Sequence, residues 1–159
     1  MDSTQWAYVA GFLDGDGSII LQLKPRPDYR YGFQIKATVS FFQSGQGRHV
    51  LQWLQQRIGL GRLRRRKDGI WEYNIEGWEP VLYFLYAVRP YVVAKKPQVE
   101  EAISLLEEMR ANRHATPEQF VSWAQRVESY QALNYSKKRR YTANDVRRFL
   151  SSKGLLPSP

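Results

Sequence analysis

The sequence contains no cysteine and only two histidines among its 159 residues. The absence of cysteine excludes disulfides, thiolate metal sites and a cysteine nucleophile, and the scarcity of histidine argues against a histidine-rich zinc site. Any metal bound by this chain is therefore expected on oxygen ligands, which favours magnesium-like ions.

Long apolar runs, a signal or transit peptide and low-complexity linkers are also missing from the sequence. The pattern predicts a chain that neither crosses a membrane nor undergoes processing. With 43% hydrophobic residues, the length suits one compact domain with a real core. We expect a single domain over residues 1–153 and a flexible tail over residues 154–159.

Positive charge is in excess, with a formal net charge of +9. A surface this basic attracts polyanions, and nucleic acid is their commonest representative. A generally basic surface or affinity for acidic membranes would give the same net charge. The distribution of the charge along the chain has to distinguish these alternatives from nucleic-acid binding.

Residues 4–13 carry small side chains at helical spacing. Ala7, Ala10, Gly11 and Asp14 recur at intervals of three and four, which places them on one side of a helix, and apolar side chains occupy the other side. Both faces are expected to be buried. A small-residue face lets another backbone approach closely and favours a helix pair, whereas an ordinary core helix is an equal alternative.

Alternating apolar and polar residues predict two antiparallel hairpins, over residues 18–26 with 33–43 and residues 62–67 with 70–76. The second hairpin turns at Asp68-Gly69, a dipeptide suited to tight turns. A helix ending near Gly59 is expected between the hairpins, and a short helix follows the second. Further helices are expected near the C-terminus, one of which starts with a capping box at Thr116.

The outward positions of both hairpins are rich in side chains that bind base edges and phosphates. A two-stranded ribbon fits the major groove of duplex DNA, although a half-buried sheet needs a polar face in any case. A second basic cluster, at residues 137–140, suits phosphate contacts or a solvated turn. The predicted DNA-binding residues are Ser18, Ile20, Gln22, Lys24, Arg26, Tyr29, Gln34, Lys36, Thr38, Ser40, Arg48, Arg62, Arg64, Arg66, Glu72, Asn74, Lys137, Lys138, Arg139 and Arg140.

The stretch VAGFLDGDG at residues 9–17 resembles the signature of the LAGLIDADG homing endonucleases. The order of predicted elements is similar to the αββαββα core of that family with additional C-terminal helices. The resemblance covers nearly the whole chain and is strongest to the compact single-motif members. It implies an α+β fold with a four-stranded antiparallel saddle, and a homodimer in which Ala7, Ala10, Gly11 and Asp14 line the subunit interface.

The resemblance also implies an active site. By the match, Asp16 is the catalytic, metal-binding carboxylate, and the Gly15 carbonyl turns toward the metal. Asp14 is structural. Gln43 corresponds to the polar residue that holds water near the metals, and Lys95, with its neighbour Lys96 as a rival, to the basic residue beside the scissile phosphate. Two carboxylates that meet at a twofold axis repel each other unless divalent cations lie between them.

The implied activity is site-specific cleavage of double-stranded DNA at a long, near-palindromic target, leaving 3′ overhangs. Mg²⁺ is the expected cofactor, with Mn²⁺ or Ca²⁺ as substitutes in the site, and no small-molecule cofactor or membrane partner is expected. The family suggests an organelle or a microbial cytoplasm as the place of action. A nucleic-acid-binding protein without nuclease activity, either an RNA maturase or a transcription regulator, is the alternative.

Overall fold

The computed structural model describes residues 1–134 and 140–158, and within them the chain forms helices around a small sheet. The elements follow the predicted order of helix, hairpin, helix, hairpin and C-terminal helices. Their bounds are α1 Ser3–Asp16, β1 Gly17–Pro25, β2 Phe33–Gln43, α2 Arg48–Ile58, β3 Arg62–Arg65, β4 Trp71–Glu76, α3 Trp78–Val88, α4 Lys96–Ala111, α5 Pro117–Gln131 and α6 Ala143–Ser152.

The four strands form one antiparallel sheet in the order β1-β2-β4-β3. In the register, Phe41 of β2 faces Tyr73 of β4, which in turn faces Leu63 of β3. The turn between β3 and β4 places Gly69 at φ 87°, a backbone angle that glycine adopts without strain. The predicted α+β class with a four-stranded sheet is confirmed.

Contacts divide the chain into two compact units, the first of which contains residues 1–20 and 37–103. Aromatic rings form its centre, where Phe41 stacks on Phe12 and Tyr73 and meets Phe84 edge to face. The Tyr73 hydroxyl donates to the Leu60 carbonyl at 2.5 Å, and burial raises the pKa of Tyr73. This packing holds α1 and α3 together with the neighbouring strands.

The second unit contains residues 21–36 and 104–159, and it joins the far end of the first hairpin to the C-terminal helices. Phe33 meets the rings of Tyr141 and Phe149 edge to face. The Tyr31 hydroxyl donates to the Ala115 carbonyl at 2.5 Å. The unit therefore has its own apolar core, built on the inward face of the hairpin.

Helix ends show where the sequence interpretation was right and where it was wrong. The predicted capping box is present, because the Gln119 amide donates to Thr116 Oγ1 at 3.2 Å and the Gln119 side chain accepts from the Thr116 amide at 2.9 Å. Helix α1, expected over residues 4–13, continues to Asp16. No helix in the described part of the chain is long and apolar enough to cross a membrane.

Candidate active site

The last turn of α1 is fastened to the segment before α4 by the side chain of Asp14. Its carboxylate accepts hydrogen bonds from the backbone amides of Val93 at 2.7 Å, Ala94 at 3.1 Å and Lys95 at 3.0 Å. Burial acts to raise the pKa of Asp14, but these three amides and the charge of Lys95 outweigh it, so the pKa lies below its ordinary value. Asp14 therefore ties the end of α1 to residues 93–95.

Asp16, the final residue of α1, is exposed. Its Oδ2 accepts a hydrogen bond from Gln43 Nε2 at 3.0 Å. Because Gln43 closes β2, the sheet and the helix end bring together two residues that are remote in the sequence. The amide fixes one carboxylate oxygen and leaves the rest of the carboxylate available to a ligand.

Lys95 reaches the same helix end from the segment that Asp14 anchors. Its Nζ donates to the Asp14 carbonyl oxygen at 2.9 Å and is partly buried. Lys96, the rival candidate, is exposed and begins α4. The structure thus places Lys95, together with Asp16 and Gln43, around the C-terminal end of α1.

The donors at this helix end are oxygens, which suits a hard divalent cation. Gly15 is exposed near the C-terminal end of the helix, where carbonyl groups lack partners within the helix and the helix dipole favours a positive charge. Among the described residues, no group of three His, Cys, Asp or Glu side chains could hold a metal ion. At this helix end, one chain therefore offers a metal ion the carboxylate of Asp16, because the carboxylate of Asp14 accepts hydrogen bonds from three backbone amides.

One face of α1 is open to solvent. Ala7 and Gly11 are exposed, and a Cβ added to Gly11 would meet nothing within 4 Å. The neighbouring Tyr8 is 52% exposed and contacts the ring of Trp53 edge to face. The prediction was wrong for Ala10, which is fully buried because it points toward the core of its own unit and has no surface to offer a partner.

On the first unit, the outer face of the second hairpin carries exposed arginines at positions 62, 64 and 66. Three predicted DNA contacts beside them are buried instead, with exposures of 6% for Thr38, 3% for Ser40 and 6% for Glu72. Ser40 Oγ donates to Asn74 Oδ1 at 2.6 Å, and Arg64 forms an ion pair with Glu72. The expectation of free outward side chains was wrong at these positions, because β2 and β4 each have a neighbour on both sides.

Further predicted contacts belong to the second unit, whereas Ser18 and Ile20, at the start of β1, belong to the first and are half-buried. Along β1 and β2, the predicted contacts of the second unit alternate with the buried Leu21, Leu23, Phe33 and Ile35. Lys137, Lys138 and Arg139 lie outside the described residues. The remaining predicted contacts of this unit are half-buried or exposed, and they are Gln22, Lys24, Arg26, Tyr29, Gln34, Lys36 and Arg140.

Two residues near Gln43 were not predicted from the sequence as part of the site. Trp71 pairs with Gln43 in the sheet register. The guanidinium carbon of Arg48 lies 4.3 Å from the centre of the Trp71 ring. Gly47 lies against the Gln43 side chain. The sequence carried only a weak signal for Trp71, whose alternation assigned it to the inner face, and none for Gly47.

Comparisons with known proteins identify the family of this chain. A model of the LAGLIDADG endonuclease family matches residues 9–88. DNA endonuclease I-CreI from Chlamydomonas reinhardtii is 34% identical over 145 residues, which are 91% of this chain and 88% of that protein. DNA endonuclease I-CvuI from Chlorella vulgaris is 28% identical over 153 residues, or 96% of this chain and 94% of that protein.

Solved structures show the same fold. The homing endonuclease I-CvuI, crystallised in complex with its target in the presence of Ca, matches with a TM-score of 0.89 over 96% of each chain. The archaeal intron-encoded homing endonuclease I-Vdi141I, complexed with DNA, matches with a TM-score of 0.85 at 17% identity, over 98% of this chain and 100% of that chain.

Proposed function

Because the chain belongs to the LAGLIDADG endonuclease family, we propose that it is a homing endonuclease that cuts both strands of a specific DNA target with the help of divalent metal ions. The observation that carries this proposal is the meeting of Asp16, Gln43 and Lys95 at one helix end. In metal-assisted phosphodiester hydrolysis, an oxygen ligand can hold the metal, an amide can orient that ligand, and an ammonium group can offset developing charge.

The active enzyme is a homodimer. One chain carries one copy of the motif and one available carboxylate at the site, whereas the cutting of two strands requires two catalytic centres. The open face of α1, with its small residues Ala7 and Gly11, allows the helices of two subunits to approach closely. Twofold symmetry of the protein implies a target close to a palindrome.

Asp16 and the Gly15 carbonyl would hold the metal, for which we propose Mg²⁺, with Mn²⁺ or Ca²⁺ able to occupy the same oxygen ligands. A bound divalent cation supplies activation of water and stabilisation of the leaving oxygen. When two subunits bring their Asp16 side chains together, the cation also offsets the repulsion between the carboxylates.

The chain's own residues orient the reacting groups. Gln43 holds the Asp16 carboxylate through Oδ2, which fixes the direction of its other oxygen. The Lys95 ammonium, kept at the helix end by the Asp14 carbonyl, offsets the negative charge that develops on the phosphate. Arg48, stacked over Trp71, supplies a further positive charge close to Gln43.

Each subunit binds one half of the target through the polar faces of its hairpins. Arginine and glutamine side chains read base edges in the major groove, and lysines neutralise phosphates. By analogy with the family, cleavage leaves short 3′ overhangs and 5′ phosphates. An organelle or a microbial cytoplasm is the proposed place of action, and finding the coding sequence inside an intron of such a genome would support it.

The substitution Asp16→Asn tests the nuclease function. The variant is expected to lose cleavage in Mg²⁺ and to retain salt-sensitive DNA binding, because the amide keeps the shape of the side chain but removes its charge. Cleavage of a randomised duplex pool, compared in Mg²⁺ and in EDTA, identifies the target and the metal requirement. A variant that cuts at the wild-type rate would overturn the role of Asp16, whereas a wild type that binds DNA but never cuts would support the non-cleaving alternative.

A further inference from the structure

The residue at position 47 controls the space around the Gln43 side chain. After β2 ends, residues 45–47 form a single turn of 3-10 helix, and the Gly47 amide donates to the Ser44 carbonyl at 2.9 Å. This turn folds the chain back so that Gly47 lies against Gln43. A Cβ at position 47 would lie 2.9 Å from Gln43 Cβ and 3.0 Å from its Cδ, and closer still to Oε1.

The backbone does not require glycine at this position. Gly47 has φ −90° and ψ 3°, angles that other residues adopt, and it is not among the glycines with positive φ. The neighbouring Gly45, in the same 3-10 turn, has nothing within 4 Å of an added Cβ. The contact with Gln43 therefore distinguishes the two positions, besides the place of Gly47 as the N-cap residue of α2.

We propose that Gly47 is a positioning residue, whose missing side chain lets the Gln43 carboxamide turn toward Asp16. This inference rests on the proposed nuclease function. A methyl group at position 47 would meet both the carboxamide of Gln43, which can rotate away, and its Cβ, which moves only with the backbone of the turn. Rotation of the carboxamide withdraws Nε2 from its 3.0 Å hydrogen bond to Asp16 Oδ2 and releases the carboxylate.

The test compares Gly47→Ala with the matched control Gly45→Ala. Removal of a hydrogen-bond partner of a metal ligand typically lowers activity by about 10–100-fold. We therefore expect kcat of Gly47→Ala to fall by about that factor. The Kd for target DNA in Ca²⁺ should stay near the wild-type value, and a cooperative melting transition would show that the variant is folded. Gly45→Ala should cut at the wild-type rate.

A double substitution shows whether the effect passes through Gln43. Gln43→Ala alone should lower kcat, and adding Gly47→Ala should lower it no further, because the group that Gly47 positions is already absent. The side-chain NH₂ resonances of Gln43 in an NMR spectrum should shift alike in Gly47→Ala and in Asp16→Asn, and stay unchanged in Gly45→Ala. This readout does not depend on activity.

The possible failures are distinguishable. If Gly47→Ala cuts normally while Asp16→Asn is inactive, the positioning role is overturned and the nuclease function stands. An equal loss in the Gln43→Ala background also overturns the role, because Gly47 then acts by another route. A wild-type protein that cuts no DNA overturns both proposals.

Discussion

Asp14 and Asp16 are two positions apart on the last turn of α1 and face different surroundings. Two residues of a helix separated by two positions point to nearly opposite sides. Asp14 turns toward the amides of residues 93–95, whereas Asp16 remains exposed and meets Gln43. One acid therefore fastens the end of the helix, and the carboxylate of the other stays exposed to solvent.

Replacing Asp14 by alanine should lower the free energy of unfolding by about 1 kcal/mol near neutral pH, because three amides lose their acceptor. The folded-state pKa of Asp14 is depressed, so its contribution is present above the ordinary value of 3.8 and is lost as the pH falls through the folded-state pKa. Urea denaturation at about pH 7 and about pH 3 should show the difference between wild type and variant shrinking in acid.

The exposed Asp28 supplies the control for this experiment. Asp28→Ala should leave the unfolding free energy nearly unchanged at both pH values. A difference between wild type and Asp14→Ala that grows in acid would contradict the assigned direction of the pKa shift.

Lys95 and Lys96 give a second residue-scale prediction with a built-in control. Lys95→Met should slow cleavage at saturating DNA by about 100-fold, the usual cost of removing one group that stabilises developing charge. Lys96→Met should cut nearly normally, since the exposed Lys96 begins α4 and Lys95 Nζ is the group that lies at the motif helix. Single-turnover kinetics would measure both rates, and the reverse order would transfer the role to Lys96.

At the scale of elements, the sequence predicts the bounds that local pattern determines. It does not predict those that depend on contacts with remote segments. Strand β2 has the bounds expected from its alternation. Helix α1 was expected over residues 4–13 from its spacing but continues to Asp16, and Asp14 fastens its last turn to a segment that no local pattern connects with it. Asp16, Gln43 and Lys95 could be named only through the family motif.

The buried positions Thr38, Ser40 and Glu72 were mispredicted for a related reason. Alternation along one strand indicates which face a side chain is on, but does not reveal the strands that flank it. Because β4 lies between β2 and β3, Glu72 is covered although it belongs to the outer face. Its ion pair with Arg64 follows from the register, in which the two residues face each other.

This ion pair gives an element-scale prediction. Arg64→Ala leaves the buried Glu72 carboxylate without its partner and should destabilise the protein by about 1–3 kcal/mol. Arg62→Ala, which removes another exposed arginine of β3, should cost less than about 0.5 kcal/mol. Both variants should lose DNA affinity in low salt, so chemical denaturation rather than binding separates them. Equal stability of the two variants would show that Glu72 does not depend on Arg64.

At the scale of the whole molecule, one chain carries the residues proposed for one catalytic centre of the dimer. It carries a net charge of +9, one carboxylate available at the site and an open helix face beside it. The open face and Asp16 lie on the same element, α1, so the proposed contact between subunits would also bring the two Asp16 side chains together. Activity should therefore depend on protein concentration where the dimer dissociates.

Substitutions at Gly11 can distinguish the stability of one chain from the stability of the dimer. In Gly11→Ala the added methyl group meets nothing within its own chain, so the helix should gain roughly 0.5–1 kcal/mol, whereas Gly11→Leu should block the close approach of a second α1. Sedimentation should then show a folded Gly11→Leu monomer that binds DNA weakly and does not cut both strands. Ser122→Leu, on an exposed position of α5, is the control and should stay dimeric. A dimeric, fully active Gly11→Leu would move the subunit interface away from α1.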